Sequence, residues 1–229
     1  MQRSVIVPVL FGAVGVAILL RLGFWQVERL GEKEAAIARI EARIAEPPVP
    51  LPDTPDPDAD KYLPVTVTGD FTGEDLRVLV SLKQVGAGYR VISVMETEAG
   101  RILVDRGFVE VATAATPRPA EGVTITGNLH WPDEVDGYTP EPDTEKNLWF
   151  ARDVSRMARH LDARPVLVVA AQTTEEAPVA TPLRVDTAHI PNDHLEYAIT
   201  WFALAAIWAA MTGYFLWRTR RRPAEGKDS

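Results

Sequence analysis

A membrane-anchored α+β fold is predicted for this chain, with two transmembrane helices flanking a mostly antiparallel β-barrel or β-sandwich domain that carries one short helix. Two long apolar runs, one near each end of the sequence, predict the transmembrane helices. Between them, short segments rich in β-branched and aromatic residues alternate with turn residues, which is typical of antiparallel sheets. The chain contains no cysteine, which excludes disulfide frameworks, Cys-X-X-Cys redox chemistry and Cys-based copper sites.

The first apolar run predicts a transmembrane helix over residues 4–25. Residues 4–20 contain no charge, and residues 22–25 extend the apolar stretch beyond Arg21. This is about the 20 residues that a helix needs to cross the hydrocarbon core of a bilayer. A cleaved signal peptide is the alternative, but no A-x-A-like site follows the run, so an uncleaved anchor is favoured.

The second apolar run predicts a transmembrane helix over residues 194–217, and it is uncharged from residue 198 onward. Trp201 lies near one edge, and Tyr214 and Trp217 lie near the other. Aromatic side chains in these positions are typical of the belts at membrane–water interfaces. The chain is therefore expected to contact the lipid bilayer at both ends.

Basic residues predict the orientation in the membrane. Residues 218–229 form a basic tail, and the positive-inside rule keeps such clusters in the cytoplasm. Two spans then place both termini in the cytoplasm and the central domain in the periplasm. Only Arg3 precedes the first run, which leaves no room for an Arg-rich transit peptide, so we expect a multi-pass protein of a bacterial inner membrane.

The region between the spans is acidic. Residues 46–193 contain 25 Asp and Glu against 13 Lys and Arg. Binding to nucleic acid needs a basic footprint for the phosphates, so this class of function is excluded.

Three segments are predicted between the two spans. A helical stalk covers residues 26–45, because apolar side chains recur there at helical spacing without a proline. Six prolines within residues 47–57 end that helix and predict an extended Pro-rich linker over residues 46–60. The β-rich domain follows over residues 61–190.

Within the β-rich domain the alternation of apolar and polar residues predicts short strands. Residues 98–100 are expected to form a tight hairpin turn. A helix is expected over residues 153–161, capped by Asp153. The expected strands cover residues 63–71, 77–82, 89–97, 101–109, 123–131, 165–171 and 183–185.

Five ordered pieces of the sequence resemble one known family. They are LGFWQVERLGEK after the first span, VTVTGDF, RILVDRGFV, NLWFARDVSRMARHL, and NDHLEYAITWFALAAI leading into the second span. Together they span nearly the whole chain, and they resemble the Surf1 family of terminal-oxidase assembly factors. The resemblance implies a cytochrome c oxidase assembly factor that binds haem a and presents it to subunit I of a haem-copper oxidase, with the haem a synthesis machinery as a further partner.

The resemblance also implies that His194, at the entrance to the second span, is the ligand of the haem iron. Imidazole is a good axial ligand, and a site at the membrane edge lets the macrocycle contact lipid while its propionates reach water. The alternative is a structural role, in which His194 is an interfacial histidine on a helix-packing face. The helix face above His194 carries Tyr197, Ala198, Trp201, Ala205 and Trp208, and small alanines between aromatic rings are expected to admit a flat porphyrin.

A second candidate site lies on the first helix. Leu22, Gln26, Arg29 and Lys33 share a helical face, and Trp25 borders it at the water boundary. The Arg29 guanidinium is a candidate partner for haem propionates. The alternative is that these cations extend toward lipid phosphates, as most juxtamembrane Arg and Lys side chains do.

The remaining titratable residues are expected to have structural roles. His130, His160 and His189 are expected to be surface or partly buried histidines, and among them only His189 is near enough in sequence to compete with His194 as a ligand. The carboxylates of Asp133, Glu134 and Asp136 are expected to lie in a solvated turn.

Two functional hypotheses from different classes remain open. The first is a haem a delivery protein, and the second is a membrane-anchored scaffold that binds assembly partners through the β-rich domain without carrying haem. Catalysis is not expected, because the few serines in the central region lack the context of a nucleophile elbow.

Overall fold

The computed structural model describes residues 3–83, 85–113, 118–188 and 190–221. These residues form two compact units. A helical unit comprises Met1–Arg39 and Ala188–Ser229, and a β-domain comprises Ile40–Thr187.

The helical unit is built from the two long helices of the chain. Helix α1, Arg3–Ile44, is continuous over 42 residues, so the predicted first span and stalk form one helix that tolerates Pro8 and Gly31. Helix α3, His194–Arg221, covers 28 residues. Both helices are long and apolar enough to cross a membrane by length and composition.

Small residues bring the two helices together in an antiparallel arrangement. A Cβ atom placed on Gly12 would lie 2.3 Å from Thr212, one on Gly15 would lie 2.4 Å from Trp208, and one on Gly23 would lie 2.6 Å from Phe202. Each glycine therefore provides the space that a larger side chain of α3 occupies, which lets the two helices pack closely. The matching face of α3 also carries the buried alanines Ala198 and Ala205.

The β-domain holds a mixed sheet of seven strands. One α-helix, α2 (Val154–His160), packs on it, with Asp153 as its N-cap as predicted; the Asp153 side chain accepts the Arg156 N–H at 2.9 Å. The strands are β1 (Val49–Pro50), β2 (Pro64–Leu82), β3 (Gly86–Thr97), β4 (Gly100–Glu110), β5 (Ala120–Leu129), β6 (Leu148–Trp149) and β7 (Leu167–Thr173).

The long strand β2 bends and joins both sides of the sheet. It pairs antiparallel with β3 and, through its first half, antiparallel with β5. Strand β7 lies between β4 and β5, parallel to the first and antiparallel to the second. Because β3 also pairs with β4, the pairings form a closed circuit through β2, β3, β4, β7 and β5.

Alternate side chains of these strands fill two separate hydrophobic clusters. The first lies among the strands and includes Val65, Val104 and Val168. The second is covered by α2 and Trp149. It includes Leu103 and Leu167, which directly precede Val104 and Val168 in sequence. This period of two is what places one face of β4 and β7 against the first cluster and the other against the helix.

Several strand boundaries differ from the sequence prediction. The two strands expected over residues 63–71 and 77–82 are one strand, β2, whose register shifts between Phe71 and Asp75. The strand expected over residues 183–185 is wrong, since that segment is irregular and only Thr181 bridges to Phe108. Strand β6 was not expected, because two residues are too short to produce a sequence pattern.

The Pro-rich segment over residues 46–60 has more fixed structure than a spacer. Strand β1 pairs parallel with β2 through Val49 and Val65, and Leu51 packs on the first hydrophobic cluster. The Asp56 carboxylate accepts backbone N–H groups of Asp58 and Ala59. These contacts fix the segment that leads from α1 into the sheet.

Candidate functional site

The candidate site in the helical unit is formed by one residue from each long helix. His194 is the first residue of α3, and Gln26 lies on the face of α1 that contacts α3. Their side chains meet: Nδ1 of His194 lies 2.7 Å from Oε1 of Gln26. Gln26 is buried, with 8% of its surface exposed, whereas His194 is partly exposed.

Gln26 was not identified from the sequence as the partner of His194, although it was placed on the correct helical face. The missing information was the register between the helices. In an antiparallel pair of spans, the residue that leaves the first span and the residue that enters the second lie at the same end. A polar side chain on the inward face at that position is the signal that indicates such a contact.

The α3 residues that follow His194 divide between the packed face and the outer surface. Ala198 is buried at 2% exposure, Trp201 is partly exposed, and Tyr197 is exposed. The expectation that alanines on this face admit a porphyrin therefore needs correction for Ala198 and Ala205, because both are buried on the face that packs against α1. The rings of Tyr197 and Trp201 are accessible aromatic surfaces near His194.

Two arginines of α1 engage carboxylates of the same helix. The Arg29 guanidinium donates to Glu32 at 2.5 Å, and Arg21 lies 3.8 Å from Glu28. These groups are largely exposed, so the pairs contribute little to stability. Trp25 is 44% exposed and lies beside Gln26 in the chain.

An iron bound at this end of the helices would have few protein ligands. Among the residues that the structure describes, no three His, Cys, Asp or Glu side chains are close enough together to hold a metal ion. Within the described residues, the His194 ring makes one hydrogen bond, which joins its Nδ1 to Oε1 of Gln26. His189 lies outside the described residues.

The other two histidines belong to the β-domain. His160 ends α2, and its ring contacts Trp149 edge-on at 5.8 Å. His130 stacks against Tyr62, with ring centroids 5.3 Å apart. Burial, followed by the positive charges of Arg152 and Lys61, lowers the pKa of His130 to about 4, so the ring is neutral at physiological pH.

An ionic cluster centred on the buried carboxylate of Asp105 in the β-domain was not expected from the sequence. The carboxylate of Asp105, on β4, is fully buried and accepts from Arg90 at 2.7 Å and from Arg152 at 3.1 Å. Arg152 also donates to Glu134 through two nitrogens, at 3.0 and 2.5 Å. We refer to Arg90, Asp105, Glu134 and Arg152 as the ionic cluster.

Glu134 is exposed, as expected, but its carboxylate is paired with Arg152 rather than free in solvent. Burial alone raises the pKa of Glu134, but the hydrogen bonds and charge of Arg152 outweigh it, so the pKa is lower than usual. Asp136 does lie in an exposed turn, where its carboxylate accepts from Tyr138 and Thr139. The cluster ties the segment after β5 to β3 and β4, which is a structural role.

An apolar groove lies at the opposite end of the helix pair. It has a volume of about 410 Å³ and is lined by side chains that include Phe11, Trp208 and Phe215. Trp208 follows His194 by 14 positions, which corresponds to roughly 21 Å along a helix. The groove is therefore separate from the His194–Gln26 contact.

Comparison with known proteins identifies relatives over most of the chain. The model of the SURF1 family matches residues 13–206. A SURF1-like protein of Monosiga brevicollis is 35% identical, covering 83% of this chain and 80% of the relative. A SURF1-like protein of Rickettsia felis is 29% identical, covering 90% of this chain and 92% of the relative. Human Surfeit locus protein 1 is 31% identical, covering 81% of this chain and 69% of the relative.

The matched region contains both residues of the candidate site and the whole β-domain. It also contains four of the five sequence pieces that resembled this family, and all but the last residue of the fifth. On the match of the family model and the identity to its relatives, this chain belongs to the SURF1 family.

Proposed function

We propose that this protein is an assembly factor for a haem-copper terminal oxidase that carries haem a as cargo and delivers it to subunit I. His194 is the proposed ligand of the haem iron. The observation that carries the proposal is the position of this imidazole, which begins α3, is partly exposed, and contacts the buried amide of Gln26. The protein is proposed to catalyse no reaction of its own.

The coordination chemistry fits a carrier. Imidazole is a common axial ligand of haem iron. Among the described residues no group of three or more His, Cys, Asp or Glu side chains surrounds a possible metal position, and a site with few protein ligands supports binding of limited strength. Limited strength is what a delivery protein requires, because the cargo must pass to the oxidase.

The side chains around His194 provide contacts for the rest of the cargo. Tyr197 and Trp201 offer accessible ring surfaces for the macrocycle, in place of the buried Ala198. Arg29 is the proposed partner of a propionate, since its present partner Glu32 is an exposed carboxylate that another anion can replace. Trp25 is the proposed apolar border of the site on α1.

The proposed location is a bacterial inner membrane, with α1 and α3 as spans, both termini in the cytoplasm and the β-domain in the periplasm. Because the chain has no cysteine, single cysteines report this orientation cleanly. A membrane-impermeant maleimide should label Tyr138→Cys, whose side chain is exposed in the β-domain, in spheroplasts. It should label Thr219→Cys in α3 only after the membrane is opened, and the reverse pattern would contradict the orientation.

The competing hypothesis is a scaffold that binds oxidase assembly partners, or the haem a synthesis machinery, without carrying haem. Purification of the protein from cells that make haem a and from cells that cannot make it separates the two hypotheses. The carrier should emerge coloured from the first cells only, and a pyridine haemochrome spectrum should identify haem a. A scaffold would be colourless in both preparations.

A further inference from the structure

With the Gln26 amide oriented as in the structure, its contact with His194 has one possible chemical direction. The amide oxygen Oε1 of Gln26 is an acceptor without a proton, and it lies 2.7 Å from Nδ1 of His194. Nδ1 must therefore be the donor. In a neutral imidazole only one nitrogen carries a proton, so this contact leaves Nε2 with a free lone pair.

We propose that Gln26 is a positioning residue that fixes His194 in the tautomer with the proton on Nδ1, so that Nε2 is the atom offered to the iron. This inference rests on the proposed haem site and deepens it by assigning the ligand atom and the residue that selects it. In water a neutral histidine side chain favours the opposite tautomer, with its proton on Nε2. Without Gln26, Nε2 of His194 would thus more often carry a proton than offer a lone pair to the iron.

The environment of Gln26 makes the contact selective. Because Gln26 is 8% exposed, water competes poorly for its amide, and the hydrogen bond is stronger than at an exposed position. One turn earlier on the same face, Gly23 lets the ring of Phe202 approach the backbone of α1. The closely packed helices therefore hold the amide at a fixed distance from the ring.

Metal-binding histidines commonly donate their second N–H to a carbonyl or a carboxylate. Such a partner fixes the ring orientation and raises the basicity of the binding nitrogen, and its removal costs roughly 10–100-fold in metal affinity. The carbonyl oxygen of Gln26 serves this purpose from the other helix. The ligand strength of His194 is therefore set by the contact between α1 and α3.

The opposite orientation of the amide makes the proposal testable. If the amide NH₂ group of Gln26 instead donated to Nδ1, the proton would lie on Nε2 and no lone pair would face the iron. Nitrogen-15 NMR of the full-length, haem-free protein in detergent, with labelled histidine, distinguishes the two tautomers. The signal of His194 is assigned by its loss in His194→Ala.

The wild-type protein should show His194 with the proton on Nδ1. Gln26→Leu removes the acceptor at similar size and should shift the ring toward the Nε2–H tautomer. Gln26→Glu restores an acceptor and should restore the wild-type tautomer. Val27→Leu, at an exposed neighbouring position of α1, is the matched control and should change nothing.

Titration with purified haem a is the second readout. Gln26→Leu should bind roughly 10–100-fold more weakly than wild type, with a changed Soret band, and Gln26→Glu should recover the affinity. An Nε2–H tautomer in the wild type, or equal affinity and spectra in wild type and Gln26→Leu, would overturn the role of Gln26. The NMR result does not depend on haem, so a failure of wild type to bind haem a would count against the proposed function alone.

Discussion

Asp105 lies on β4 and Arg152 lies in the segment that precedes α2, and their charged groups meet in the interior of the β-domain, with Nη1 of the arginine 3.1 Å from Oδ2 of the aspartate. The Asp105 side chain has no exposed surface, and Arg90 approaches the same oxygen. A third contact, from the Gly107 N–H at 3.1 Å, satisfies the other oxygen. The buried charge is thus compensated from three directions, which is the condition for burying a carboxylate at tolerable cost.

Replacement of Asp105 by asparagine should destabilise the β-domain strongly. The change removes the negative charge between Arg90 and Arg152, and disruption of a buried ion pair costs about 3–5 kcal/mol. Urea unfolding of the full-length protein in detergent, followed by near-ultraviolet circular dichroism, measures the loss. Asp143→Asn, which removes an exposed pair with Lys146, is the control and should cause little change; equal midpoints for both variants would refute a stabilising cluster.

The stability of the β-domain should fall as the pH drops below about 6.5, and His130 should contribute to this fall. The pKa of His130 is about 4 in the folded chain against 6.5 for an unperturbed ring, so the unfolded state binds the proton first. The contribution of neutral His130 to the free energy of unfolding is fully present above pH 6.5. It is lost as the pH falls toward 4, and the loss is at most about 3 kcal/mol.

The test compares unfolding free energies of wild type and His130→Phe between pH 7.5 and about 4.5. Phenylalanine keeps a ring against Tyr62 but cannot bind a proton. The variant should lose less stability on acidification than the wild type. Parallel pH profiles would show that His130 does not titrate in this range.

The sequence predicted those features that depend on local patterns. Uncharged apolar runs predicted α1 and α3, alternation predicted most strands, and Asp153 predicted the start of α2. Two features were not predictable because they depend on distant partners. The bend that makes β2 a single strand arises from pairing with both β3 and β5, and β6 is defined only by its pairing with β2.

The candidate site was predicted in part for the same reason. His194 was identified from its place at the edge of an apolar run and from the family resemblance. Ala198 was assigned to a ligand face because helical spacing defines a face but does not say what covers it. Gln26 and Glu134 take their roles from partners 168 and 18 positions away, which no local pattern encodes.

The packing of α1 against α3 should be detectable by cross-linking. A Cβ atom on Gly12 would lie 3.1 Å from Cβ of Thr212, slightly less than the separation of about 3.5–4.5 Å found in disulfides. Oxidation of a Gly12→Cys, Thr212→Cys double variant should therefore give an internal disulfide, seen as a shift in gel mobility. Gly12→Cys with Gly213→Cys is the control, because nothing lies within 4 Å of the Gly213 position.

Absence of the disulfide in the first pair, or equal yields in both pairs, would contradict the helix contact on which the His194–Gln26 geometry depends. The natural lack of cysteine ensures that any internal disulfide comes from the introduced pair.

The central claim is that His194 binds the iron of haem a, and the haem content of His194→Ala tests it most directly. Wild type, His194→Ala and the control His160→Ala are purified in parallel from cells that make haem a, and haem is measured per mole of protein by pyridine haemochrome. Wild type and His160→Ala should retain haem a, whereas His194→Ala should lose it while still inserting into the membrane. Equal haem a in all three proteins would contradict the account.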